Sequence, residues 1–269
     1  MNKQISVIGC GWLGLPLAAE FVKNGHLVKG STTSDDKLAL LRKEGILPYV
    51  VSISENAVEG AITACLKDSE ILIINIPPGL RKNPQSNFIK KMELLCESIE
   101  KSTVSKVLFI SSTSIYKDGV EMPVITEENS INDESYSAKQ LIGAETVFKT
   151  NPNFETTILR FSGLIGANRD PAKFLSGKKN LKDPDGPINL IHQEDCINII
   201  KRIIKNNFWN TDFNAAAPQH PTREVYYSAV CTMKDIPLPH FDHTRPSQGK
   251  VISNKKVEQM LNYRFLHDL

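Results

Sequence analysis

Six residues near the amino terminus constrain this chain more than any others. Gly9-Cys10-Gly11-Trp12-Leu13-Gly14 follows the compact apolar run 5–8 and leads directly into helical spacing over residues 13–24. A G-x-G-x-x-G pattern between a strand and a helix has a physical reading at each glycine. Gly9 permits a tight turn, Gly11 lets backbone approach a bulky anionic group, and Gly14 lets the helix pack closely on the strand. The helix N-terminus adds N–H donors and a partial positive charge. The pattern therefore predicts a pyrophosphate cradle, with Trp12 and Leu13 in the loop. The bland alternative is a turn that merely packs helix on strand.

The rest of the first half repeats the strand–helix alternation. Strands are expected at 26–32, 49–53, 71–76, 106–112 and 156–161, stopped in the third case by Pro77-Pro78. Helices are expected at 35–44, 57–67, 88–101 and 136–150 between them. Alternation at this spacing implies right-handed βαβ crossovers and an α/β fold, a doubly wound parallel Rossmann sheet. Residues 162–190 are rich in Gly, Pro, Lys and Asn and read as loop and short helix. A helix follows at about 194–205, a short strand at 213–215, a helix at 223–233 with Thr222 as its N-cap, and a last helix near 254–261. The expected division is a dinucleotide-binding domain over 1–165 and a small C-terminal substrate lobe over 166–269, with 190–216 returning to the Rossmann core.

Composition excludes several classes. The chain has 269 residues, 41% hydrophobic and 23% charged, and a formal net charge of +2. It can bury a substantial core and has no strong field to draw nucleic acid. No apolar run approaches the roughly 20 residues that span a bilayer. The N-terminus reaches Gly and Trp too soon for a secretory leader. Five scattered cysteines, without a C-x-x-C pair or a Cys/His cluster, read as reduced thiols of a cytoplasmic protein and not as a metal site. The expected partner is a small-molecule substrate, with neither nucleic acid nor membrane, and a homodimer is compatible with the sequence.

The end of the second strand reads the cofactor. An acid there would bind ribose hydroxyls, but the chain offers Ser31, Thr32, Thr33 and Ser34 before Asp35-Asp36. Small hydroxyls donate to a 2′-phosphate without repelling it, and Lys37 could add charge. The pattern favours NADP(H) over NAD(H). The same hydroxyls could instead cap the following helix.

Further along, 107–116 reads VLFISSTSIY, 135–140 reads SYSAKQ, 158–166 reads ILRFSGLIG and 188–195 reads INLIHQED. In this order over nearly the whole chain, they resemble the extended short-chain dehydrogenase/reductases, the NAD(P)-dependent epimerase/dehydratase group that mostly handles nucleotide sugars. The resemblance implies that Ser112, four residues before Tyr116 of the Ile115-Tyr116 pair, holds the substrate hydroxyl or carbonyl. It implies that Tyr136 is the general acid/base, helped by a lysine four residues on. That position is Gln140, and the nearby ammonium is Lys139, three residues on. A tyrosine with pKa ~10 is a poor base at neutral pH unless a cation favours its phenolate, whereas glutamine supplies only hydrogen bonds. Asn75, Ile76 and Pro77 would pass beside the cofactor, and Phe161 and Gly163 would face the nicotinamide. Arg169 and Lys178 lie on the presumed substrate loop. His192 and Asp195 could form a catalytic or metal pair, but read more readily as the start and cap of the next helix.

The chain departs from the family pattern at two further points. The usual loop is G-x-x-G-x-x-G, whose first glycine would fall on Ile8, and Lys117 replaces the glycine after the V-Y pair. The loop spacing alone also suggests a hydroxyacid-type dehydrogenase, but that would need a long all-helical second half, which the Pro-rich last residues do not provide. The expected activity is a hydride transfer at a carbon bearing a hydroxyl or carbonyl. The alternative is a non-catalytic NADP(H)-responsive regulatory or binding protein, which the Gln140 departure favours.

Overall fold

The computed structural model describes residues 3–129, 131 and 133–269. The first stretch runs β1 (Gln4–Ile8), α1 (Gly14–Lys23), β2 (Leu27–Thr32), a 3-10 turn (Asp35–Lys37) continuing into α2 (Leu38–Lys43), and β3 (Leu47–Ile53). It continues through β4 (Val58–Gly60), α3 (Ile62–Leu66), β5 (Ile71–Ile74), α4 (Phe88–Glu100) and β6 (Lys106–Ser112), which ends in a 3-10 turn (Thr113–Ile115). Next come β7 (Val124–Ile125), α5 (Tyr136–Lys149), β8 (Glu155–Phe161), β9 (Gly163–Ile165), α6 (Pro171–Leu175) and β10 (Leu190–His192). The last elements are α7 (Gln193–Lys205), β11 (Asp212–Ala215), α8 (Arg223–Met233), β12 (Val251–Ile252) and α9 (Lys255–Leu261).

Eight strands form one sheet in the order β11-β8-β6-β5-β1-β2-β3-β4. β1 pairs in parallel with both β2 and β5, β2 with β3, and β5 with β6. The Rossmann-type α/β fold expected from the alternation is the fold observed. Its burial follows from the order. β5 lies inside the sheet, and Ile71, Leu72, Ile73 and Ile74 are all fully buried, which is why that strand reads as a continuous apolar run. β1 is the strand at which the order reverses, so the crevice beyond its carboxyl end is where an open sheet of this kind binds ligands.

One segment differs from expectation. Residues 57–67 do not form one helix, because Val58–Gly60 pairs antiparallel with β3 as an edge strand. The Ser54 hydroxyl accepts the Asn56 and Ala57 N–H groups and closes a turn that sends the chain back along β3. Gly60 then sits at φ +89°, with the site of a Cβ only 2.3 Å from the Val50 carbonyl oxygen, so only glycine fits. Elsewhere the caps act as read. Thr222 Oγ1 accepts Val225 N–H at 3.4 Å, and α8 spans the expected residues.

Two compact units divide the chain: residues 1–115, 134–159 and 203–212 in one, and 116–133, 160–202 and 213–269 in the other. In the second unit, Ala172, Ile188, Leu190, Tyr227 and Cys231 form a buried apolar cluster. That unit also buries a polar chain. Arg160 Nη1 donates to the Tyr116 hydroxyl at 3.1 Å, which donates to Asn214 Oδ1 at 3.2 Å. The Asn214 N–H reaches Glu127 Oε1 at 2.6 Å. No helix among the described residues is long and apolar enough to cross a membrane. All five cysteines are buried and free of disulfides.

Within the first unit, the hydroxyl of Ser111 on β6 donates at 2.5 Å to Glu145 Oε1 on α5, and both side chains are buried. Removing the carboxylate leaves a buried hydroxyl without its acceptor. Glu145→Ala should therefore lower unfolding free energy by about 1–3 kcal/mol, read from urea denaturation.

Candidate functional site

The loop after β1 is held by its neighbours in the sheet. Gly9 N–H donates to Ser31 Oγ at 3.0 Å, and Cys10 N–H to the Ser31 carbonyl at 2.9 Å. From the other side, Asn75 Nδ2 donates to the Gly9 carbonyl at 3.1 Å. Gly9 has φ +98°, and a Cβ there would lie 2.4 Å from the Asn75 carbonyl oxygen. A Cβ on Gly14 would lie 2.2 Å from the Gly9 carbonyl oxygen. Gly11 is the opposite case: a Cβ there would meet nothing within 4 Å, and the residue is exposed. Two glycines are thus required by the protein's own packing, while the third borders open space at the start of α1.

The flanking residues divide between structural and available. Leu13 is buried and Trp12 half-buried. Ser31 is buried with its hydroxyl engaged by Gly9, and Thr32 is buried with Oγ1 accepting Ser34 N–H at 3.3 Å. Thr33 and Lys37 are exposed. Asn75 and Ile76 are half-buried and Pro77 is exposed. The Cys10 thiol, inside the loop, is pushed up to about 12 by burial and by the neighbouring Cys65, against a backbone hydrogen bond with Ser31. It stays a neutral thiol at physiological pH and supplies no thiolate nucleophile.

The second group of candidates lies on β6 and α5. Ser112 is half-buried at the end of β6, and its Oγ accepts Ser114 N–H at 3.2 Å. Ser135 caps α5 by accepting Ala138 N–H at 3.2 Å, which makes Tyr136 the first helical residue. Tyr136 is 48% exposed, and its hydroxyl donates to the Ser86 carbonyl at 3.2 Å. Gln140 is only 7% exposed, with Oε1 accepting Ile89 N–H at 3.1 Å in the first turn of α4. Gly143, on the same stripe, has space for no Cβ, because Ile89 Cδ1 would be 2.3 Å away. Tyr136, Gln140 and Gly143 thus form one face, at i, i+4 and i+7, turned toward α4 and the segment before it. Lys139 is exposed, and Leu141 and Glu145 are buried on a different face.

Sequence reasoning missed a contributor to this region. The Glu55 carboxylate accepts Asn87 N–H at 2.8 Å and the Ser86 hydroxyl at 3.0 Å, while Lys91 Nζ donates to Ser86 Oγ at 2.7 Å. The Asn87 N–H, then the Ser86 hydroxyl, hold Glu55 below the usual carboxylate range. A separation of 31 residues along the chain leaves no spacing signal for such a contact.

In the second unit Phe161 is buried, and Gly163 pairs with β10, its N–H donating to the Asn189 carbonyl at 3.0 Å. Arg169 and Lys178 are exposed. Asp195 does more than begin a helix. It is fully buried, and Oδ1 accepts the Tyr263 hydroxyl at 2.6 Å and Leu266 N–H at 2.8 Å, tying α7 to the carboxyl-terminal tail. His192 meets the first turn of α7 through Nδ1, which accepts Glu194 N–H at 3.3 Å.

Comparison with known proteins bears on the family and the fold. Residues 85–216 match the NAD dependent epimerase/dehydratase family, a match that starts after the glycine loop. The chain is 30% identical to Protein YeeZ of Escherichia coli (strain K12), over 98% of this chain and 96% of that one. Among solved structures, UDP-glucuronic acid 4-epimerase from Bacillus cereus in complex with NAD superposes with a TM-score of 0.80 at 16% identity, covering 99% of this chain and 92% of that one. A functionally unknown conserved protein from Silicibacter pomeroyi DSS gives 0.76 at 16% identity, covering 99% and 94%.

The glycines separate by experiment. Gly14→Ala forces a Cβ into a backbone carbonyl and should destabilise by about 1–3 kcal/mol. Gly11→Ala should stay within about 0.5 kcal/mol of wild type. Thermal denaturation of the two ligand-free variants checks the contrast.

Proposed function

The chain belongs to the NAD-dependent epimerase/dehydratase family of extended short-chain dehydrogenase/reductases, and on that premise we propose that it binds a nicotinamide dinucleotide, NADP(H) in preference to NAD(H), and acts on a hydroxyl or carbonyl carbon of a small molecule. The observation that carries the reading is the open space over Gly11, between a loop fixed by Ser31 and Asn75 and the first turn of α1. The backbone there receives the pyrophosphate. Since the Ser31 and Thr32 hydroxyls are engaged inside the protein, Thr33 and Lys37 are the residues left to meet a 2′-phosphate. Both are exposed and neither repels an anion.

A bound dinucleotide supplies the hydride chemistry at a carbon–oxygen centre. The chain's own residues orient and protonate. Ser112 Oγ holds the substrate oxygen, and the Tyr136 hydroxyl moves its proton. For that step the Tyr136 hydroxyl must exchange the Ser86 carbonyl for the substrate oxygen. Lys139 is the cation available on the same helix, while Gln140 fixes the head of α4. A sugar nucleotide is the substrate class that the family and the epimerase-like architecture favour.

A second reading has one specific observation behind it. With Tyr136 bonded to Ser86 and Gln140 to Ile89, the helix presents no described tyrosine–lysine pair. On this reading the protein binds dinucleotide without hydride transfer and signals its occupancy to a partner.

Titration with NADPH and NADH, followed by fluorescence, separates the possibilities. Wild type should bind NADPH more tightly than NADH, and Gly11→Asp should lose both without a change in ligand-free melting temperature. An absence of binding to wild type would end the cofactor assignment. If binding holds, Tyr136→Phe should reduce turnover of a responsive sugar-nucleotide substrate by about 100-fold or more. An unchanged rate would remove Tyr136 from the chemistry.

A further inference from the structure

Three side chains of the second unit converge outside the region described above. A ring nitrogen of His192, a carboxylate oxygen of Glu194 and a ring nitrogen of His267 all lie within 4.8 Å of one another. His267 Nε2 is 2.9 Å from Glu194 Oε2, and the two imidazole rings stand with centroids 3.6 Å apart. We infer that His192, Glu194 and His267 form a binding site for a divalent transition-metal ion, Zn2+ first among them.

The donor set is the first argument. Two imidazoles and one carboxylate are borderline ligands suited to zinc, and three protein ligands leave a position open to water. With metal–ligand bonds of about 2.0–2.2 Å, tetrahedral ligand atoms lie about 3.3–3.5 Å apart. The observed cluster reaches that spacing by small side-chain rotations, which the partial exposure of Glu194 and His267 permits. The contact that competes for the His192 ring, from Glu194 N–H to Nδ1, is long at 3.3 Å and readily exchanged.

Preorganisation is the second argument. His192 ends β10, whose pairing with β9 sets it opposite Ile165. Glu194 stands in the first turn of α7. His267 belongs to the tail, yet its position is fixed from both sides: Leu266 N–H is bonded to buried Asp195, and Gln219 Nε2 to Asp268. Asp195 thus orders the backbone that delivers the third ligand, and its Oδ2 is buried with no hydrogen-bond partner. A carboxylate with spare acceptor capacity one residue from Glu194 offsets the positive end of α7, which would otherwise disfavour a cation. Bound metal would clamp the tail to the β10–α7 corner.

The test is calorimetric titration of the full chain with Zn2+ alone, for wild type, His267→Ala and Glu194→Gln, with Co2+ absorption as a second readout. One equivalent should bind, with affinity falling by at least ~10-fold in each variant. The Co2+ spectrum should carry no thiolate charge-transfer band. The His267 side chain is 36% exposed, so its substitution should leave the metal-free melting temperature unchanged, and Glu194→Gln stands in if it does not. Binding that survives both substitutions, a thiolate signature from the cysteines, or no binding to wild type would each overturn the assignment.

Discussion

The fixed point of the first unit is the grip on Gly9. Its N–H reaches the Ser31 hydroxyl on β2, and its carbonyl takes the side-chain amide of Asn75 beyond β5. Three adjacent strands, β2, β1 and β5, are therefore bound at the point where the sheet order reverses. The grip works only because Gly9 has no side chain, since a Cβ would strike Asn75, and because Gly14 leaves the Gly9 carbonyl free of α1. What the loop then offers to a ligand is the one glycine the protein does not itself need, Gly11. The loop's shape is thus required by internal packing at two positions and left open at the third.

That division explains how much of the site was legible. The glycine spacing revealed the turn because Gly9 and Gly14 carry a steric demand that only glycine meets. Ser31 and Thr32 carry no such steric mark: both are buried, with Ser31 Oγ accepting the Gly9 N–H and Thr32 Oγ1 the Ser34 N–H. A short polar side chain has no periodic signature that separates a ligand from an internal brace. The Ser54 turn and the edge strand β4 were hidden for a related reason. Residues 57–67 carry apolar residues compatible with a helix, and the outcome depends on a hydroxyl just before them and a positive φ at Gly60. Contacts with long separations, such as Glu55 with Ser86 or Asp195 with Tyr263, leave no local trace at all.

Helix α5 shows how a single rotation controls what a sequence motif can mean. Its register is set by two contacts on different faces: Glu145 with Ser111 on β6, and Gln140 with Ile89 on α4. At 100° per residue, positions 140 and 145 are about 140° apart, so the helix cannot turn to suit one partner without losing the other. Tyr136 is one turn before Gln140 and shares its direction, which is why its hydroxyl finds the Ser86 carbonyl. Lys139 lies about 60° to one side of Tyr136 and points into solvent.

The consequence for chemistry follows from this register rather than from residue identity. Lysines at i+3 and i+4 both lie near a tyrosine at i, on opposite sides of it, and Lys139 at i+3 can reach it from its own side through a long flexible stem. Its ammonium is free to approach from the solvent side. The Ser86 carbonyl belongs to the same peptide unit as the Asn87 N–H that Glu55 accepts, so one brace fixes the segment that the Tyr136 hydroxyl meets.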